Sequence, residues 1–111
     1  MKTIKIELEI FPQIGEITVY AGKLCKLKEK AKEINAALNG SGRFTVIKGK
    51  TYVFAATDDK NADVDDILIH EFTHLIDRIT EKLGIKDTET RAYIMQYLWK
   101  KSKKHLKEEG E

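Results

Sequence analysis

The feature that most constrains this chain is a pair of histidines four residues apart, with a glutamate directly after the first. The histidines are His70 and His74, and the glutamate is Glu71. In an α-helix, residues i and i+4 lie one above the other about 6 Å apart, so both imidazoles can reach one metal ion without bending the backbone. The spacing therefore predicts a helix, and the residue types predict a zinc site with a carboxylate beside it.

The residues around this motif have the periodicity of an amphipathic helix. His70 and His74 fall on a narrow polar stripe together with Asp66 and Asp77, and Gly84 predicts the C-terminal end of the helix. The remaining sector is broad and apolar, and it contains Val64, Ile67, Leu68, Phe72, Leu75, Ile76 and Ile79. One side of this helix is predicted to face the core, and the other is predicted to carry the site.

Glu71 points into the apolar sector, where burying an unpaired carboxylate is costly. A metal-bound water beside Glu71 would explain that position. The alternative is that His70 and His74 are ordinary surface or hydrogen-bonded histidines and that Glu71 is a surface acid. The motif positions hold two of the three histidines in the chain, which favours the metal site.

Length and composition limit the fold and its setting. The 111 residues predict a single domain, 1–111, with one modest core. A net charge of +2, with 34% charged residues of both signs, indicates a solvated surface and no nucleic-acid partner. Cys25 is the only cysteine, which excludes an intrachain disulfide and favours a cytoplasmic protein. We find no signal-peptide or membrane-span pattern and expect no membrane partner.

The first part of the chain alternates between strand and helix patterns. Residues 3–10 place Ile and Leu opposite Lys and Glu, as in a half-buried strand, and Phe11-Pro12 ends the pattern. Residues 16–20 predict a second short strand. Residues 23–38 carry apolar side chains at helical spacing and predict a helix that packs on the sheet.

A β-hairpin is predicted directly before the metal helix, because residues 43–48 and 50–57 are strand-like and flank a turn at Gly49. We expect residues 51–57 to lie nearest the metal helix and to leave an edge to which an extended peptide can add. The predicted fold class is α+β. It has a small antiparallel-containing sheet in the N-terminal half with a backing helix, then the helix with the histidines, then a C-terminal helix.

Catalytic zinc usually takes three protein ligands and leaves a fourth position for water, so one ligand remains to be found. Glu89 is the first candidate, because it lies fifteen residues after His74 in the first turn of a helix that begins near Asp87. The other interpretation is that Glu89 only complements the helix dipole. Asp77 is a rival ligand, and Asp77 and Asp66 are also candidates for orienting a histidine by a hydrogen bond.

Two motifs together, H-E-x-x-H at 70–74 and E-x-x-A-Y at 89–93, resemble the gluzincin metallopeptidases. The small size and the preceding strands are similar in particular to the minigluzincins, which resemble the catalytic domains of HtpX-like and CAAX-prenyl membrane endopeptidases. The resemblance covers roughly residues 43–98. It implies one zinc ion on His70, His74 and Glu89, with Glu71 as the general base that cleaves a peptide or an unfolded protein.

Two further expectations follow from this resemblance. Gluzincins often carry an aspartate where this chain has Tyr93, so Tyr93 is expected to pack in the core, to hydrogen-bond a histidine or to stabilise the oxyanion, with core packing favoured. Minigluzincins are described as self-inhibited by C-terminal segments. The resemblance therefore implies that residues 100–111 are regulatory, with His105 or the terminal carboxylate capping the zinc of the same molecule or of a self-associated neighbour.

Two alternatives remain open at this point. Residues 100–111 can instead be a solvated, fraying helix end whose lysines suit the helix dipole. The whole chain can instead be a zinc-binding interaction module that has a metallopeptidase fold but does not hydrolyse peptides.

Overall fold

Residues 1–108, which the computed structural model describes with the side chains of residues 1–106, form four strands and three α-helices. The fold class is α+β, as predicted, with the sheet in the N-terminal half. The strands are β1 (Lys2–Glu7), β2 (Glu16–Gly22), β3 (Gly42–Ile47) and β4 (Lys50–Ala56). The helices are α1 (Leu24–Glu33), α2 (Val64–Leu83) and α3 (Thr88–Glu108).

The four strands form one mixed sheet in the order β1-β2-β4-β3. The two outer pairings are antiparallel, whereas β2 and β4 pair in parallel. The expectation that residues 51–57 leave a free edge is therefore wrong, because β4 lies between β2 and β3. Val53 to Ala56 are fully buried, which suits an interior strand. Within the described part of the chain, the free edges belong to β1 and β3.

Helices cover both faces of the sheet, and the alternation of side chains in β4 separates the two cores. Val53 and Ala55 pack into the larger cluster with residues of α2 and α3. Phe54 and Ala56 point the other way and pack against Leu27 of α1. The α1 side carries no part of the histidine motif, so α2 and its neighbours position the site.

The ends of α1 and β1 differ from those predicted, and β2 extends to Gly22 rather than to residue 20. Helix α1 ends at Glu33 rather than at residue 38, because Asn35 adopts a left-handed conformation with φ of 62°. The amide of Ala36 then donates to the carbonyl of Ala31 at 2.8 Å, which closes a Schellman motif. Strand β1 ends at Glu7, and Ile10, expected on the core face, is 57% exposed.

The turns around the site are those that the sequence predicts. Lys48 and Gly49 both have positive φ, at 52° and 79°, as a type I′ hairpin turn requires. Gly84 ends α2 with φ of 70°, and the amide of Ile85 donates to the carbonyl of Thr80 at 2.8 Å. Glycine is needed there because a side chain disfavours this conformation.

Helix α3 begins with a cap and ends against the sheet. The carboxylate of Asp87 accepts from the amides of Glu89 and Thr90 at 3.2 Å each. At the other end, Ser102 is fully buried and the Lys2 ammonium on β1 donates to the carbonyl of Leu106 at 2.6 Å. The helix is therefore docked as far as Leu106, which argues against fraying up to that residue, while the lysines at 100, 101, 103 and 104 are exposed to solvent, as the solvated-end interpretation expects.

Residues 109–111, with the terminal carboxylate, lie outside the described residues. Across residues 1–108, no helix combines the length and the apolar composition that crossing a bilayer requires.

Candidate metal centre

His70 and His74 lie side by side on the exposed face of α2, as their spacing predicts. Their Nε2 atoms are 3.2 Å apart, and the two rings are nearly perpendicular, at 80°. Two nitrogen ligands bound tetrahedrally to zinc at about 2.0–2.1 Å are separated by about 3.3 Å. The two nitrogens therefore already have the spacing of a zinc-bound pair. A hydrogen bond between two neutral imidazoles gives a similar distance, so the spacing fits zinc without being specific to it.

Glu71 is only 8% exposed, although it carries a carboxylate. It makes no hydrogen bond and no ion pair with any residue among 1–106. Its side chain borders a pocket that is lined by Gly42, Ala62, Asp66, Ile67 and His70. Its carboxylate oxygens therefore keep contact with solvent through this pocket, and they lie beside His70, where a group that receives or transfers a proton can act.

Gly42 of β3 sets the position of Glu71. A Cβ atom at Gly42 would overlap Cγ2 of Ile67 and would lie 3.1 Å from Oε2 of Glu71. Only glycine allows β3 to approach α2 this closely. The sequence analysis missed Gly42, because nothing local in the sequence shows which glycine contacts another element.

The donor set fits zinc in part. Two imidazoles are ordinary zinc ligands, and a carboxylate without a partner lies beside them. Among the described residues, no group of three His, Cys, Asp or Glu side chains is placed to hold a metal ion. The structure therefore brings together His70 and His74 but not a third ligand.

Glu89 is exposed in the first turn of α3 and does not join the histidines. The register between the two helices explains this. Arg91 forms an ion pair with Asp77 and donates to Oγ1 of Thr80 at 2.6 Å. Because α3 returns antiparallel after a short connection, Glu89 lies further from His74 along α2 than Arg91 does.

Neither of the two aspartates proposed to orient a histidine makes that contact. Asp77 accepts from Arg91 instead. Asp66 lines the pocket beside His70 but forms no hydrogen bond to either ring. Both residues lie near the site, as their positions on the polar stripe predict.

Tyr93 and His105 lie on other parts of α3. Tyr93 is 60% exposed and borders a groove with Leu8, Glu9 and Ile10, so the expectation that it packs in the core is wrong. No hydrogen bond joins Tyr93 to a histidine of the described chain. His105 is partly buried on the same unbroken helix, about 24 Å beyond Glu89 at 1.5 Å per residue. The turn that His105 would need to cap its own zinc is not present between residues 88 and 108.

The surface between β3 and α2, which we call the groove, holds two separate pockets: the one beside His70 and Glu71, and a second one at the Val46 end. The second pocket is bordered by the cations Arg78 and Lys82, and its other lining residues are mostly apolar: Phe44, Val46, Leu75 and Ile79, together with Gln13, Ile14, Gly49 and Thr51. Neither cation has an ion-pair partner within the described chain. The sequence analysis missed both, although His74, Arg78 and Lys82 follow each other at helical spacing of four residues.

Comparison with known proteins adds no family to this description. No protein-family profile, no curated protein and no solved structure was found to match the chain. A functional interpretation therefore rests on the residues of the site themselves.

Proposed function

We propose that this protein is a zinc-dependent endopeptidase with its active site on α2. The observation that carries the proposal is the carboxylate of Glu71, which makes no hydrogen bond or ion pair within the described chain, borders a pocket and lies beside a pair of imidazoles with zinc-ligand spacing. A carboxylate in this position is suited to act as a general base.

Each residue has a distinct role in the proposed reaction. His70 and His74 would hold the zinc. A zinc ion bound there would supply Lewis acidity for the activation of water and the polarisation of the scissile carbonyl. Glu71 removes the proton from the attacking water and delivers it to the leaving amine. Gly42 keeps β3 close enough to shield Glu71 from bulk water.

The free edge of β3 suits an extended peptide. Within the described chain no strand pairs with the outer side of β3, so its outward amides and carbonyls are available. A peptide that adds beside β3 would run along the groove and pass the histidine pair. Such binding requires an extended segment, so we propose that the substrates are peptides or unfolded proteins.

Glu89 stays our proposal for the third ligand, and this role requires a rearrangement of the structure. For Glu89 to approach His74, α3 must move along α2, which opens the contacts of Arg91 with Asp77 and Thr80. Loss of a residue that only hydrogen-bonds a metal ligand weakens metal affinity about 10- to 100-fold. If Glu89 binds zinc directly, Glu89→Gln should weaken zinc affinity by at least that factor. Glu81→Gln, an exposed acid near the end of α2, is the control. Equal affinities in both variants would show that Glu89 is not a ligand.

Self-inhibition by residues 100–111 is likewise a proposal. The described part of this segment packs on β1 of its own molecule, so capping would require exchange between two molecules. Deletion from Lys100 onward removes the buried Ser102 and is a poor test. His105→Ala should raise the cleavage rate if His105 caps a neighbour's zinc. An unchanged rate in a folded variant would count against this role.

The peptidase activity can be tested directly on the full chain. We expect purified protein supplied with zinc to cleave casein, and a chelator to stop the reaction. Glu71→Gln should abolish cleavage while Glu81→Gln retains it. Failure of the zinc-loaded protein to cleave casein or any unfolded protein, or cleavage that survives Glu71→Gln, would contradict the proposal.

A non-catalytic zinc-binding module is the second candidate. The observation that favours it is the assembly of two ligands rather than three. Zinc that binds at His70 and His74 without Glu71-dependent cleavage would support this candidate. A cytoplasmic setting, without nucleic-acid or membrane partners, is part of both proposals.

A further inference from the structure

Charge is distributed unequally along the groove between β3 and α2. At the Gly42 end, Asp66 lines the pocket beside His70, and Asp59 accepts a hydrogen bond from Ser41 directly before β3. At the Val46 end, Arg78 and Lys82 border the groove. The exposed Lys48 and Lys50 lie just beyond this end, in and after the hairpin turn. The histidine pair lies between the acidic end and the basic end.

Arg78 and Lys82 are available to a ligand. They make no ion pair with any described residue, and both contribute to the wall of an otherwise apolar groove. Both side chains are exposed, so water and salt screen their attraction for an acidic side chain, and two cations on one side of the pocket add to each other. This part of the groove therefore suits a peptide that carries apolar and acidic side chains.

We propose that the groove selects peptides by the order of their charges. An acidic side chain binds toward Arg78 and Lys82, and a basic side chain is favoured toward Asp66, on the other side of the scissile bond. This inference rests on the proposed peptidase function, because it uses the histidine pair as the position of the scissile bond.

The helix geometry sets the distance from the scissile bond. Arg78 is one turn beyond His74 and Lys82 is two turns beyond it, which correspond to about 6 Å and 12 Å along the axis. An extended peptide advances about 3.3 Å per residue. The preferred position of the acidic side chain should therefore be about two to four residues from the scissile bond, and on only one side of that bond. The side on which it lies will show whether the peptide runs parallel or antiparallel to β3.

Two quenched fluorescent peptides of identical composition test this selection. One carries lysines before and glutamates after a central apolar segment, and the other has the reverse order. We expect the full-length zinc-loaded protein to cleave one of them with a kcat/KM about tenfold higher than the other. Mass spectrometry of the products locates the scissile bond.

The double variant Arg78→Gln/Lys82→Gln should reduce this ratio toward one, and added salt should reduce it as well. Lys28→Gln/Lys32→Gln on α1 makes the same change of net charge on the other side of the sheet and should leave the ratio unchanged. Arg78→Glu/Lys82→Glu makes both ends of the groove acidic and should therefore also remove the preference.

The possible failures are distinguishable. If both peptides are cleaved at equal rates and Glu71→Gln abolishes cleavage, the peptidase function stands and charge selection is wrong. If neither peptide is cleaved, fluorescence anisotropy measures their binding to the same protein. If one peptide binds more tightly and Arg78→Gln/Lys82→Gln removes that difference, charge selection by the groove is supported without peptidase activity. Equal binding of the two peptides would overturn charge selection.

Discussion

The two flanks of α2 differ in how their polar groups are satisfied. On the flank that faces β3, which we call the β3 flank, Glu71, Arg78 and Lys82 have no hydrogen-bond or ion-pair partner among the described residues. On the flank that faces α3, the α3 flank, Arg91 binds both Asp77 and Thr80. The same helix thus has Arg91 paired within the fold on one flank and, on the other, three charged side chains without a partner in the described chain.

This difference separates stability from function. Polar groups that are paired within the fold contribute to its stability, whereas charged groups without a partner inside the fold add little to it. Charged groups that gather beside a pocket are instead candidates for binding or catalysis. Variants on the β3 flank should therefore change activity more than stability, and variants on the α3 flank should do the opposite.

The largest expected effect is that of Glu71→Gln on the β3 flank. Removal of a general base should lower the cleavage rate by about 10²- to 10⁴-fold. Because Glu71 makes no hydrogen bond or ion pair within the described chain that the variant would remove, the melting temperature should stay nearly the same. Rate and thermal unfolding are measured on the same preparation. A large loss of stability would show that Glu71 supports the fold, and the contrast between the flanks would then fail.

Gly42→Ala tests the close approach of β3 and α2. The added Cβ overlaps Ile67, and overpacking of this kind costs about 1–3 kcal/mol of unfolding free energy. It should also lower the cleavage rate, since Glu71 has to move. Denaturant unfolding measures the stability change.

Two further variants control for the Gly42 substitution. Gly40→Ala should be nearly neutral, because no atom lies within 4 Å of a Cβ at that position. Gly42→Ala/Ile67→Leu removes the overlapping methyl group and should recover part of the loss. A destabilising Gly40→Ala, or no recovery in the double variant, would argue that backbone freedom rather than contact with α2 requires glycine at position 42.

Arg91→Ala addresses the α3 flank and should have a smaller effect. The Arg91 and Asp77 side chains are 36% and 56% exposed, so solvent screens the pair and its loss should cost about 1 kcal/mol or less. The cleavage rate per folded molecule should change less than it does in Gly42→Ala. A variant that is fully stable but inactive would show that Arg91 takes part in the reaction. The α3 flank would then contribute to activity rather than to stability.

The smallest effect concerns pH and the cap of α3. The hydroxyl of Thr90 and the amide of Glu89 donate to Asp87 and lower its pKa below the ordinary 3.8. The cap therefore stabilises the fold fully above pH 3.8, and this contribution is lost as the pH falls through the lowered pKa. Asp87→Asn keeps a capping side chain but cannot titrate. Its melting temperature should depend less on pH below 3.8 than that of the unchanged chain, and equal pH dependence would contradict this assignment.

Local signals predicted the elements that carry the site. The spacing of His70 and His74 placed both imidazoles on one helical face, and Gly84 predicted the end of that helix. Gly49 likewise predicted the hairpin. The burial of Glu71 was also predictable, because helical periodicity alone turns it toward the apolar sector.

Contacts between distant segments were not predictable in this way. The parallel pairing of β2 with β4 makes β3 the edge strand, and no local pattern specifies that order. The position of Glu89 depends on the register between α2 and α3, which Arg91 fixes through Asp77. Helix α1 ends early because Asn35 adopts a left-handed conformation inside an apolar pattern that continues to Leu38.

Crystallographic anomalous scattering at the zinc edge tests the central claim most directly, because it locates the metal rather than inferring it from activity. The account predicts one zinc ion per chain, bound to Nε2 of both His70 and His74, with the Glu71 carboxylate beside it. A folded, zinc-soaked crystal with no peak between the two rings would contradict the proposal that the β3 flank is a metal-dependent active site.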